Sequence, residues 1–262
     1  MLVTGATGFV ASHVIRQFLH RGYKVRGTVR DLAQASWLVD DNFKSYAESG
    51  HFEPVVVPDL AANDAFDEAV KRVSAIAHIA SVVGFDPNPN NVVPQTVAGV
   101  NSILTATAKE PSVREIAFTS SIAVATMLIA AQDASMLIAA KNAWVDRNTW
   151  NEMAVQAFLA PPPYEPSRVM FTYAASKVAA EKALWQFVEE KKPHYNVSAI
   201  CPFAITGEPF HLKHVEAFVN WVTKIFKEDK ASLDPYFASF FVDVQDVANR
   251  YVAAILDPEI KN

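Results

Sequence analysis

The order of apolar segments predicts an α/β protein, a doubly wound parallel sheet with a small lobe attached. Three observations carry that prediction. A glycine turn joins a first short apolar strand to an amphipathic helix within the first twenty residues. Strand-like and helix-like segments then alternate along most of the chain, as they do when crossover helices cover both faces of a parallel sheet. The irregular stretches are few and long, the kind that a compact sheet places at the rim of a site.

Met1 to Thr4 reads as a strand, followed by a turn and then by Val10, Val14, Ile15, Phe18 and Leu19 at helical spacing. Arg21-Gly22 stops that helix, and Tyr23 to Val29 alternates as a second strand, so about thirty residues complete a strand–helix–strand unit. Further strands are expected at Val55 to Val57, Ala75 to Ile79, Glu115 to Thr119 and Val197 to Ile200, with helices clearest at Asn101 to Lys109 and Tyr173 to Lys191. Phe85 to Pro94, dense in proline and asparagine, predicts a loop. Residues 122–170 repeat Met-Leu-Ile-Ala-Ala at 127–131 and 136–140 and contain Pro161-Pro162-Pro163. Residues 203–239 hold an amphipathic pattern at Val215, Phe218, Val219, Val222 and Phe226. Phe240 to Val242 reads as a last strand and Asp243 to Leu256 as a last helix; Asp243 and Asp246 are spaced as a capped helix start, not as a catalytic pair. The expected division is a core of residues 1–202, to which 240–256 return, and a small lobe of 203–239 and 257–262.

Composition excludes several classes. With 51% hydrophobic and 19% charged residues and a net charge of 23 − 28 = −5, the chain is neither disordered nor collagenous nor a coiled coil. No basic stripe exists to neutralise nucleic-acid phosphates. No apolar run reaches the ~18 residues of a membrane span, no secretory leader opens the chain, and the single cysteine forms no internal disulfide, so a cytoplasmic protein is expected. Cys201 is read as a packed hydrophobe. His211 and His214, with Glu216 beyond, lack the further partner a metal needs and are read as polar surface.

Glycine is scarce, eight in all, yet two sit at the first strand–helix junction. Gly5 permits a tight turn, Gly8 lets the backbone approach a pyrophosphate, and Ala11 is small enough for helix and strand to pack closely. The run Gly5, Ala6, Thr7, Gly8, Phe9 and Val10 is therefore the candidate pyrophosphate site, facing a helix N-terminus. At the end of the second strand Arg30 stands where a 2′-phosphate would be read, which favours NADPH, while Asp31 beside it could bond a ribose hydroxyl.

Of seven tyrosines only Tyr173 has a lysine four residues on, Lys177, so a phenol and an ammonium emerge on one helix face. A nearby cation is expected to lower the phenol's pKa and make it a proton donor and acceptor near neutrality. Ser120 and Ser121 follow the strand Glu115 to Thr119, at the carboxyl edge where ligands of such sheets bind. Ser121 can hold a substrate carbonyl while Tyr173 delivers the proton.

Taken together, Val3 to His13, Gly27 to Asp31, Pro58-Asp59-Leu60, His78 to Ser81, Phe118 to Ser121, Tyr173 to Lys177 and Phe241 to Val244 resemble an extended short-chain dehydrogenase/reductase. The likeness is to the NAD(P)-dependent epimerase/dehydratase superfamily, and within it to fungal NADPH-dependent aldehyde and ketone reductases and dihydroflavonol 4-reductase-like proteins. The stretch Ala160 to Pro166 is similar to the fungal reductases. That resemblance implies a Rossmann-type core, Asp59 and Leu60 beside an adenine, Ala80 and Ser81 along the cofactor, Pro202 near the nicotinamide, and Lys177 on the nicotinamide ribose. It implies an NADPH-dependent carbonyl reductase, a monomer or homodimer acting on a small aldehyde or ketone, with Ser121, Tyr173 and Lys177 catalytic. The competing readings are a nucleotide-sugar epimerase/dehydratase and a non-catalytic NAD(P)-binding sensor. The sequence departs from the pattern in a first strand that begins at Met1, in a compressed stretch after Pro202, in Glu208 between Gly207 and Pro209, in Gln34 where a second basic residue often stands, and in Thr96 as nearest match to an active-site asparagine.

Overall fold

The structure is a computed structural model that describes residues 1–82, 84–126, 145–215, 223–224, 226–229 and 241–260. Its elements are β1 (Leu2–Val3), α1 (Phe9–His20), β2 (Val25–Val29), α2 (Lys44–Glu48), β3 (Phe52–Val56), β4 (Ala75–His78), α3 (Val93–Ala108), β5 (Glu115–Thr119), α4 (Glu152–Leu159), α5 (Val169–Lys191), β6 (Asn196–Ile200), β7 (Ala204–Thr206), α6 (Leu212–Val215), β8 (Phe241–Asp243) and α7 (Val244–Leu256). Six strands form one sheet in the order β3-β2-β1-β4-β5-β6, every pair parallel. The expected doubly wound sheet is therefore present, and its strand order reverses between β1 and β4, where a crevice opens at the carboxyl ends.

Each face of the sheet has its own core. On one side α1 and α7 bury Val14, Ile15, Phe18, Val247 and Tyr251 against the sheet, and on the other α3 and α5 bury Ile103, Leu104, Ala180 and Leu184 with Ile76 and Ile116. Side chains of this size each stabilise by ~1.5–3 kcal/mol when fully buried, so the two clusters hold the crevice between rigid walls.

Several boundaries differ from the sequence expectation for identifiable reasons. The second strand starts at Val25, not Tyr23, because the Gly22 and Tyr23 N–H groups close the end of α1 on the Leu19 and Phe18 carbonyls, with Gly22 at φ +81°. β3 begins at Phe52 and runs through Pro54, which the sheet tolerates because β3 is an edge strand. α3 begins at Val93, with Pro94 in its first turn, so the predicted loop ends earlier than Pro94. α5 begins one turn before Tyr173. β7 was not expected; it pairs in parallel with β8 as a separate two-stranded sheet. Asp243 does cap α7, its side chain accepting the Gln245 N–H at 2.7 Å. The repeat at 127–131 and 136–140, Phe240, and Phe218, Val219 and Val222 of the expected amphipathic helix lie outside the described residues.

Candidate active site

The turn between β1 and α1 is built so that its backbone is exposed to a ligand. Gly5 adopts φ +71°, and a Cβ there would meet Ala80 Cβ at 3.1 Å, so the turn lies against the residue that follows β4. Gly27 in β2 leaves room beneath it, since a Cβ would come within 2.8 Å of Ala6 Cβ. A glycine inside an otherwise regular strand is the sequence signal for such a close approach. The Gly5 N–H donates to Thr28 Oγ1 at 2.9 Å, and the Ile79 and Ala80 N–H groups both donate to Thr4 Oγ1 at 2.9 Å. Thr4 thereby sews the ends of β1 and β4 together under the crevice. No side chain caps the N-terminus of α1, so its first N–H groups are available to an anion. A pyrophosphate fits a turn of this kind: the cradle is glycine where a Cβ would intrude, and the helix end facing it has no competing carboxylate.

On the other side of the crevice, Ser121 stands near enough to Tyr173 to lower the phenol's pKa, and Lys177 Nζ donates to Ser81 Oγ at 3.3 Å. Ser121 and Lys177 are 8% and 6% exposed. Ser121 is placed by the loop after β5, where Ser120 N–H donates to the Ile200 carbonyl at 2.8 Å and Ile122 N–H to the Pro202 carbonyl at 3.1 Å. Ser121 Oγ also accepts the Ala123 N–H at 3.2 Å, so the capping reading and the functional reading of this serine hold for one and the same oxygen.

Electrostatics correct one expectation. Burial raises the Tyr173 pKa above the usual phenol value, and the neighbouring Ser121 side chain is what opposes it. The ammonium that was expected to lower it lies 5.8 Å from the ring centroid, bonded to Ser81, and is itself brought down to about 8 by burial. The phenol is therefore held protonated at neutral pH, the form that donates.

The remaining sequence-predicted residues are distributed less tightly. Arg30 is exposed at the end of β2, and Asp59 commits its carboxylate to the Ala61 N–H at 2.9 Å. Leu60 packs into the notch at Gly99, where a Cβ would overlap its Cδ1. Thr96 donates to the Val82 and Val92 carbonyls and is buried in its own helix.

Three features escaped the sequence reading. Phe85 stacks on Tyr173 with centroids 5.9 Å apart while 54% exposed, held by a loop whose Pro87 carbonyl accepts from Thr172 Oγ1 at 3.1 Å. Asn151 is buried, caps α4 through the Ala154 N–H and donates to the Ala123 carbonyl, both at 3.0 Å, fastening the Ser121 loop. Glu181, one turn beyond Lys177, accepts from Ser120 Oγ and from Trp185 Nε1 at 3.1 Å. Two expectations are overturned. His214 is 4% exposed and donates to the Thr7 carbonyl at 3.0 Å, so it is no surface residue. Cys201 is exposed rather than packed, with Sγ 3.9 Å from Glu181 Oε2; desolvation and then the Glu181 charge push the thiol up to about 11. It borders a cavity of about 800 Å³ lined also by Ile122, Pro202, Phe203, Phe241 and Arg250. Neither Ser121 nor Tyr173 lines that cavity; Ile122 and Pro202 connect the two regions.

Comparison with known proteins agrees with this architecture. Residues 2–156 match the 3-beta hydroxysteroid dehydrogenase/isomerase family. The whole chain aligns at 34% identity with the NAD-dependent epimerase/dehydratase terH of Aspergillus terreus, covering 75% of that protein, and at 34% with aldehyde reductase 2 of Sporidiobolus salmonicolor, covering 74%. Among solved structures it superposes on Gre2 of Candida albicans in complex with NADPH with a TM-score of 0.77 at 27% identity, covering all of this chain and 75% of that one. The chain belongs to the 3-beta hydroxysteroid dehydrogenase/isomerase family, within the extended short-chain dehydrogenases/reductases.

Proposed function

We propose that this chain is an NADPH-dependent carbonyl reductase acting on small aldehydes or ketones, with Tyr173 as proton donor, Ser121 as carbonyl ligand and Lys177 on the cofactor ribose. The observation that carries the reading is the placement of Ser121 beside Tyr173, next to the Lys177–Ser81 contact, at the carboxyl rim of a sheet whose glycine turn suits a pyrophosphate. Gly5, Ala6, Thr7, Gly8, Phe9 and Val10 would hold the pyrophosphate and Arg30 a 2′-phosphate. Asp59 and Leu60 would border the adenine, and Ala80, Ser81 and Pro202 the remainder of the cofactor. NADPH, when bound, supplies the hydride. Tyr173 Oη, kept protonated by burial, gives its proton to the carbonyl oxygen that Ser121 holds, so charge never accumulates on that oxygen.

The names of aldehyde reductase 2 and of the NADPH complex of Gre2 support this reading over the epimerase/dehydratase and sensor alternatives. In this reading residues 1–202 with 240–256 carry the cofactor, and 203–239 with 257–262 shape the substrate lobe. Among the described residues no helix is long and apolar enough to cross a membrane; we place the activity in the cytoplasm, in a monomer or homodimer.

Incubation with NADPH or NADH and a panel of aliphatic, aromatic and α-keto carbonyl compounds tests the assignment. Loss of reduced-nicotinamide absorbance with NADPH in preference to NADH is expected. Cofactor binding with no turnover across the panel would leave a sensor, and faster turnover with NADH would remove the cofactor preference.

A further inference from the structure

The segment Glu208–His214 is strapped across the phosphate turn and the start of α1 by two histidines. His13 Nε2 pairs with the Glu208 carbonyl at 2.9 Å and His214 Nε2 with the Thr7 carbonyl at 3.0 Å. Both partners are acceptors, so both Nε2 atoms carry hydrogen and donate. His13 Nδ1 accepts from Gln245 Nε2 at 2.6 Å, while His214 Nδ1 is buried with no partner among the described residues. Rings complete the strap. Phe210 stacks on His13 at 4.0 Å under the Arg16 guanidinium, and Trp37 packs against His211 at 4.9 Å and His214 at 5.5 Å. The strap is entered through Gly207 at φ +138°, where a Cβ would come within 2.6 Å of Val244 Cγ1.

The Thr7 carbonyl is a consequential place to anchor. It shares one peptide plane with the Gly8 N–H, and that N–H donates to the Gly5 carbonyl at 2.8 Å. His214 therefore pins one end of a plane whose other end the turn itself pins. The uncapped N–H groups at the start of α1 follow directly from that plane, so its orientation sets where they aim.

We propose that His214 is a positioning residue for the cofactor's pyrophosphate, holding the Thr7–Gly8 peptide through its Nε2–H, with His13 keeping the strap in place through Glu208. The proposal rests on the reading of this turn as an NADPH site. It also gives a role to the stretch after Pro202, which links the nicotinamide end of the site to the phosphate end.

The test uses the full chain with His214→Ala and His214→Gln, measuring NADPH affinity by calorimetry, steady-state constants, and melting temperature without cofactor. His214→Ala should raise both Kd and KM for NADPH about tenfold, the effect of one well-placed hydrogen bond, with kcat changed less than about twofold. His214→Gln, whose amide N–H can reach the same carbonyl, should recover most of the loss. NADPH binding by His214→Ala as tight as wild type would overturn the proposal, and so would equal weakening in both variants, which would assign the effect to ring packing. A wild-type chain that binds no NADPH would overturn the cofactor assignment, and this proposal with it.

Discussion

The two ends of the crevice are made differently. At the phosphate end the ligand-facing groups are backbone N–H groups, aimed by the five-residue turn between β1 and α1 and supported from beneath by Gly27, Thr4 and Thr28. At the carbonyl end they are side chains from three separate elements: Ser121 after β5, Tyr173 and Lys177 on α5, and Ser81 after β4. A backbone site depends on local conformation and on the absence of Cβ atoms. A side-chain site depends on long-range packing, here the small core of Ala123, Ala154, Ala174 and Ala175 with Phe158 and Tyr173 against it. Substitutions should therefore separate the two ends, one through affinity and the other through turnover.

The largest expected effect breaks the carbonyl end alone. Tyr173→Phe should cut turnover by ~100-fold or more while NADPH affinity, read by calorimetry, stays within about twofold. Activity equal to wild type would remove Tyr173 as the proton donor and collapse the distinction between the ends. Next, Arg30→Ala should act at the phosphate end only, lowering the preference for NADPH over NADH by about tenfold, since one charge-assisted contact is lost. Steady-state constants with both cofactors decide this; an unaltered ratio would mean that another group reads the 2′-phosphate.

A third effect concerns stability beneath both ends, not ligand or turnover. Burial brings His78 down to about 3 and His13 to about 4, and lowers His214 as well. Between these values and the unfolded value near 6.5 the unfolded chain takes up protons that the folded chain refuses, so stability falls as pH drops through that window. At pH 5 His78 alone should contribute a loss of about 2 kcal/mol, at ~1.4 kcal/mol per unit. The carboxylates with depressed pKa, Asp86 and Glu110, both half-buried, and the exposed Asp146, respond only at lower pH. Melting curves from pH 7.5 to 5 should show the decline, and a flat melting temperature would mean that these histidines are accessible to protons in the fold.

How much could be read from residues alone follows the same division. The parallel sheet, the glycine turn and the strand after which Ser121 falls were legible because each is encoded locally: strand and helix segments in alternation, a glycine spacing, and the apolar run Ile116-Ala117-Phe118. Asp243 was legible as a cap for the same reason, its carboxylate reaching only two residues along. His214 was not. Its partner, Thr7, lies 207 residues away, and a histidine in a polar-looking segment carries no local mark of burial. The Tyr173 pKa was misjudged because the nearest charge along the helix was weighed without the desolvation that only packing supplies. Phe85, Asn151 and Glu181 were missed because contacts between distant loops leave no periodicity.

The sequence by itself determined the alternation of strand and helix, the turn that can present N–H groups to an anion, and the presence of a phenol, an alcohol and an amine in the right order, because short-range sterics and side-chain chemistry set all of these. Only the tertiary structure decided which hydroxyl meets which, which groups lose water and shift in pKa, and that the segment after Pro202 folds back onto the phosphate turn. Those outcomes depend on burial and on distances between residues far apart in the chain, and neither quantity exists until the two faces of the sheet are packed.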